Sequence, residues 1–194
     1  MAVNSQLPSA NAPTATICGL KSGVGTRAAV TRAGGLAAVA GGLLRVAASF
    51  APVLITSESS RESLYLVVDV CLIAGLLTFY MTRKAAAGWP GTFGLIAALV
   101  GFGVIRANRA ISSIDLYPIG SVAIICGLIA LTAASWKART SSGWLPLMFT
   151  ASLIFGIVAS AVPEARVLFV VAGATFGIAF GCVGWTLLAG DLVC

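Results

Sequence analysis

From residue 33 to residue 190 the chain is almost continuously apolar, cut into lengths that match a lipid bilayer. The hydrocarbon core takes about 20 apolar residues per helix. Six stretches qualify, at 33–55, 64–82, 91–110, 118–135, 144–162 and 167–190. Composition agrees, since 59% of the residues are apolar and only 9% are charged, whereas a soluble domain carries about 25% charged residues. So few charges cannot cover a water-facing surface. The expected fold class is therefore an all-α integral membrane protein, a bundle of six transmembrane helices.

The links at 57–63, 83–90, 111–117, 136–143 and 163–166 are short and polar. They force consecutive helices to be antiparallel neighbours and leave no room for a soluble domain. The N-terminal segment 1–32 is polar, rich in Ala, Ser, Thr and Pro, and lacks the apolar core of a signal peptide. It is expected to be a disordered cytoplasmic tail, or else a docking arm that orders on a partner. Its Gly-Leu-Lys-Ser-Gly-Val-Gly-Thr at 19–26 lacks the Gly-Lys-Ser/Thr ending of a phosphate loop. Residues 191–194 form a short cytoplasmic C-terminus.

Orientation follows the basic residues. With six spans both termini share a side, and that side collects Lys21, Arg27, Arg32, Arg83, Lys84, Lys137 and Arg139. The other side has Arg61, Arg106, Arg109 and Arg166, with the acids Glu58, Glu62, Asp115 and Glu164. Trp89, Trp136, Trp144 and Trp185 map to the first interface, Tyr65 and Tyr117 to the second. The richer basic side is expected to be cytoplasmic, in the cell (plasma or inner) membrane. The net charge of +6 then reflects basic loops facing anionic lipid and calls for no nucleic acid.

The chain has no histidine, so no His-ligated haem, chlorophyll or zinc is expected, and no Ser-His-Asp relay. Any bound pigment, quinone or lipid would be held without imidazole, and its identity is unknown. Cys18, Cys71, Cys126, Cys182 and Cys194 form no Cys-x-x-Cys pair, and no disulfide framework is expected. Neither paired embedded carboxylates nor an acid cluster for two magnesium ions is present to support an enzyme.

The spans read as three two-helix hairpins. Gly42-Leu43-Leu44-Arg45 aligns with Gly103-Val104-Ile105-Arg106 and with Gly156-Ile157-Val158-Ala159. Among the even-numbered spans Gly75, Gly127 and Gly181 align, and Asp69, Ser121 and Thr175 precede them at one common offset. A triplicated unit predicts a compact bundle with a pseudo-threefold arrangement. In this succession of two-helix units the chain resembles, in architecture alone, the HdeD-like bacterial membrane proteins. Arg45 and Asp69 depart from that pattern, and the likeness implies no residue role.

Two small-residue ridges predict close helix packing: Gly34, Ala38 and Gly42 in the first span, and Gly173, Gly177 and Gly181 in the last, with Gly184 close behind. They serve packing within the chain, or else a homo-oligomer or protein partner. Embedded charge is the other signal. A charge in hydrocarbon costs about 2.5–3.5 kcal/mol on insertion scales, and Arg45 and Asp69 fall inside adjacent spans. They are expected to pair with each other, as a structural staple or as part of a site. Arg106, Asn108, Arg109, Asp115 and Tyr117 form a second cluster at the outer end of the third and fourth spans. There two guanidiniums on one helix face invite an anion, unless they merely reach for lipid headgroups. The candidate binding set is Arg45, Asp69, Arg106, Arg109 and Asp115.

Three functions compete. The first is an accessory or structural subunit of a membrane assembly, without catalytic chemistry. The alternative is a small transporter or channel for an anion or polar solute, using Arg45, Asp69, Arg106 and Arg109. The third is a lipid-modifying enzyme.

Overall fold

The computed structural model describes residues 21–50, 57–107, 115–162 and 167–190. Among them every regular element is an α-helix, in the order α1 (Lys21–Ser49), α2 (Glu58–Ala107), α3 (Tyr117–Lys137), α4 (Trp144–Ala161) and α5 (Val167–Gly190). All five are long and apolar enough to cross a membrane. Helix α1 begins at Lys21, upstream of the apolar stretch that starts at residue 33, because the Ala-rich sequence after Arg27 continues the helix without being apolar enough to announce it. The remainder of the expected tail, 1–20, and the C-terminal 191–194 lie outside the described residues.

Six stretches become five helices because 83–90 is not a loop. Ala85, Ala86 and Ala87 are strong helix formers, and the helix runs through them to one non-helical residue, Gly88, at φ 55 and ψ −155. That conformation is open to glycine and costly for any residue with a Cβ. Pro90 follows, where its missing N–H is no loss at the start of a new helical turn. The two arms of α2 fold back on each other at this point. Tyr80 and Thr92 share a hydroxyl–hydroxyl hydrogen bond of 2.9 Å across the break.

The helical segments close into a ring. Helix α1 packs on the first arm of α2, the second arm packs on α3, α3 on α4, α4 on α5, and α5 returns to α1. Backbone-to-backbone approach makes three of these seams. A Cβ at Gly94 would lie 2.5 Å from the Gly127 carbonyl oxygen, and one at Gly101 would lie 2.6 Å from that of Gly120, which seats α2 on α3. On α1 two small-residue lines face different neighbours. Gly34, Ala38 and Gly41 meet Thr78, Gly75 and Cys71 of α2, while Gly35, Gly42 and Ser49 meet Gly184, Gly177 and Gly173 of α5 in antiparallel register. The small-residue faces read from the sequence thus lie against each other and against α2 inside one chain.

The interior is a single apolar cluster in which Leu72, Leu76, Phe79, Leu128, Leu131, Phe149 and Phe180 are all but fully buried. The exterior is equally apolar. Leu36, Leu43, Phe93, Leu147, Ile157 and Val167 are all exposed, with Met81 at 75%. Helices that are apolar all round suit lipid rather than water. The two ends of the bundle differ in kind. One holds the start of α1, the Gly88 break, the α3–α4 turn and the end of α5. It carries Arg27, Arg32, Arg83, Lys84, Lys137 and Arg139 together with the exposed Trp89, Trp136, Trp144 and Trp185, and no carboxylate among the described residues. The opposite end carries Glu58, Arg61, Glu62 and Asp115.

Candidate functional site

The acid-bearing end opens into a cavity of about 320 Å³. Its polar lining is Arg45, Tyr65, Asp69, Arg106, Tyr117 and Ser121, backed by Leu72, Phe102, Ile105, Ile124, Ile125 and Phe176. Each element reaches it near a helix end: α1 through Arg45 in its last turns, α2 through Tyr65 and Asp69 early and Arg106 at its close, and α3 through Tyr117 and Ser121 in its first turns. Helix α5 contributes Phe176, which packs in tilted and edge-on contacts with the fully buried Phe149 and Phe180, at centroid distances of 5.6–6.0 Å between the three rings. These ring contacts back the apolar wall of the cavity with the buried interior. On the open side Tyr65 donates from its hydroxyl to the Ala48 carbonyl at 3.4 Å, tying α2 to α1 beside Arg45.

Asp69 forms its ion pair with Arg106, whose guanidinium donates to a carboxylate oxygen, the two side chains being 22% and 32% exposed. This corrects the expected Arg45–Asp69 pair. The two residues lie 37 positions apart, which in a straight helix would separate them by about 55 Å. The reversal at Gly88, almost midway between them, brings them level on neighbouring arms. Arg45 lines the same cavity, is half-buried, and has no carboxylate partner among the described residues. Among the described residues the formally charged lining is thus two arginines and one aspartate, an excess of positive charge beside the hydroxyls of Tyr65, Tyr117 and Ser121.

The structure therefore brings together Arg45, Asp69 and Arg106 of the candidate set. Asp115 has a different local task, because it accepts the N–H of Tyr117 at 3.1 Å as the chain enters α3. Arg109 and Asn108 lie outside the described residues. Arg45 and Arg106, aligned by the repeat, line one cavity, and so do Asp69 and its counterpart Ser121. That correspondence was the sequence signal for Ser121. Phe102, Ile124 and Phe176 had none, since an apolar residue facing a cavity reads like one facing lipid. Among the described residues no group of His, Cys, Asp and Glu is placed to hold a metal ion.

A second cavity, of about 290 Å³, opens at the tryptophan-bearing end between Thr31, Thr82, Arg83, Thr140 and Thr186. Packed side chains separate the two. Along α2, Leu76 and Phe79 lie between Leu72 of the first cavity and Thr82 of the second, and along α5, Phe180 and Val183 lie between Phe176 and Thr186; all four are buried.

Five apolar, membrane-length helices, apolar on both their inner and outer faces, are consistent with a multi-pass membrane protein. Comparison of the chain with protein-family models, with curated proteins and with solved structures finds no match.

Proposed function

We propose that the chain is a solute-binding membrane protein that takes an organic anion, a charged head on an apolar body, into the Arg45 cavity, and that it acts as a small carrier. The observation that carries this reading is Arg45, a half-buried arginine without a carboxylate partner among the described residues, in a cavity backed by aromatic and aliphatic side chains. A guanidinium inside a membrane bundle calls for water or an anion, and its planar fork suits carboxylate, sulfonate or phosphate oxygens. The Tyr117 and Ser121 hydroxyls add donors, and Phe102, Ile124 and Phe176 would cover the apolar body. Two cavities at opposite ends, divided by a packed layer, suit a carrier closed on one side better than an open channel.

On this reading the fold-back of α2 gives six crossings. The end with the tryptophans and unbalanced cations faces the cytoplasm of the cell membrane, with both termini on that side. Single cysteines at Lys137 and Glu58 should be labelled by an impermeant maleimide from opposite sides of intact cells, and labelling from one side would overturn the topology. For the site, calorimetry on the detergent-purified full chain with benzenesulfonate, benzoate, chloride and inorganic phosphate is the direct test. The aromatic anions should bind, and Arg45→Gln should abolish their binding while the protein stays folded. If none binds, the carrier reading fails, and an accessory role in a larger assembly, which composition favours, takes its place. In that case mild-detergent purification should bring a stoichiometric partner with the chain.

A further inference from the structure

We infer that the second cavity, at the tryptophan-bearing end, binds the phosphate group of an anionic molecule, with Arg83 as its counter-ion. This site is separate from the Arg45 cavity and does not rest on the carrier reading. Its volume of about 290 Å³ stands at the small end of ligand pockets, about 300–1,000 Å³. Four elements meet in it: α1 with Thr31, the first arm of α2 with Thr82 and Arg83, the α3–α4 turn with Thr140, and α5 with Thr186. Arg83 is half-buried, and its guanidinium carbon lies 5.2 Å from the centroid of the Phe79 ring. The ring attracts the cation but offers its N–H groups no oxygen. Arg83 has no carboxylate partner among the described residues. Arg27, Arg32, Lys84, Lys137 and Arg139 stand at the same end, and no described residue there is acidic. A half-buried cation in a field of its own sign favours an anion.

The threonines line the cavity without adding charge. Each hydroxyl donates within its own segment: Thr31 to the Arg27 carbonyl at 3.0 Å, Thr82 to that of Phe79 at 2.9 Å, Thr140 to that of Ser135 at 2.9 Å and Thr186 to that of Val183 at 2.8 Å. Carbonyls inside a helix also accept a backbone N–H, and that of Ser135 accepts the Thr140 N–H. A hydroxyl that turns toward an incoming oxygen therefore orphans none of them. The tryptophans set the depth. Trp89, Trp136, Trp144 and Trp185 are exposed at this end, and indole rings settle at the level of lipid headgroups. The anions abundant at that level are phosphates, whose paired oxygens fit the guanidinium fork. A phospholipid headgroup and a free phosphate share that chemistry.

The test is calorimetry on the detergent-purified full chain with dihexanoyl phosphatidylglycerol, dihexanoyl phosphatidylcholine and inorganic phosphate. Binding of phosphatidylglycerol alone identifies a lipid headgroup as the source, and binding of inorganic phosphate shows that a free phosphate suffices. Phosphatidylcholine, whose choline cancels the charge, should not bind. Arg83→Gln should weaken the binding by at least about tenfold. Lys84→Gln, an exposed neighbour that loses the same charge, should change it by less than about twofold. Equal losses in these two variants would reduce the effect to surface charge, and loss with Arg45→Gln in place of Arg83→Gln would assign the binding to the first cavity; either overturns this site. So does phosphatidylcholine binding as tightly as phosphatidylglycerol, or no binding of either anion. Binding that emerges only in Asp191→Asn, the carboxylate next in sequence to the lining residue Gly190, would make the chain its own counter-ion and overturn the site as well. The comparison of ligands uses the unaltered chain, so it decides the matter even if a variant misfolds.

Discussion

Asp69 and Arg106 stand nearly equidistant from Gly88 along one 50-residue helix, and the reversal at that glycine is what makes them an ion pair. The pair reports the register of the two α2 arms. Removing one partner disturbs the local charge balance more than removing both. Arg106→Gln and Asp69→Asn should each lower the thermal unfolding temperature in detergent, and the double variant should recover part of the loss. A coupling energy of about 0.6–1.7 kcal/mol is expected from double-mutant cycles on polar contacts within membranes. Strict additivity of the two losses would show that the pair contributes no interaction energy.

At Gly88 itself the obstacle to any other residue is conformation and not space. A Cβ there would have only Pro90 Cδ nearby, at 3.9 Å, but φ is +55. Gly88→Ala should cost about 1–3 kcal/mol of stability. It should also weaken the anion binding proposed above, because the arms lose the register that levels Arg106 with Asp69. An Ala variant as stable as the original would mean that the turn does not hold this geometry.

Two glycines one turn apart on α5 should respond in opposite ways. A Cβ at Gly177 would lie 2.5 Å from the Gly42 carbonyl oxygen, which is backbone and cannot give way, whereas one at Gly181 meets nothing within 4 Å. Gly177→Ala should open the α1–α5 seam and lower the unfolding temperature. Gly181→Ala should be neutral or slightly stabilising, since alanine is the better helix former by about 1 kcal/mol. Gly177→Leu should cause unfolding and not a clean loss of oligomer on size exclusion, because this ridge is covered within the chain.

The α3–α4 turn carries a residue at odds with its backbone. Arg139 adopts φ +56 at the end of α3, where its N–H donates to the Trp136 carbonyl at 2.8 Å and the Thr140 N–H to that of Ser135 at 3.0 Å. This is the Schellman pattern, in which glycine is the usual occupant. Arg139→Gly should raise stability by about 1 kcal/mol, read as an upward shift in unfolding temperature. A fall would mean that the lost charge matters more than the relieved strain.

Much of the architecture was legible in hydropathy, because an apolar run long enough to cross a bilayer has few other folds open to it. The pairing inside the bundle was not. Arg45 and Arg106 both lie in apolar spans next to that of Asp69, and adjacency alone does not say which is level with the carboxylate. That depends on where the chain reverses, and an eight-residue polar stretch at 83–90 leaves the register open until Gly88 is known to do it alone. The ridges were half legible for a similar reason. Gly34, Ala38 and Gly42 look like one line at a four-residue period, yet the first two face α2 and the third faces α5. A helix of 3.6 residues per turn carries a four-residue line gradually around its surface.

The glycine seam between α1 and α5 also bears on biosynthesis. Helix α1 is made before α2, α3 and α4 and its glycine-facing partner α5 after them, so the Gly35–Gly42 groove must wait in lipid while α2, α3 and α4 are inserted. Until α5 arrives, the assembling chain is an open arc with two unmatched edges. Stalling, truncation or a bulky side chain in α5 would leave that arc unclosed, exposing a notch in α1 to any small-residue helix nearby. For this protein the ring of helices closes only when α5 has been inserted beside α1.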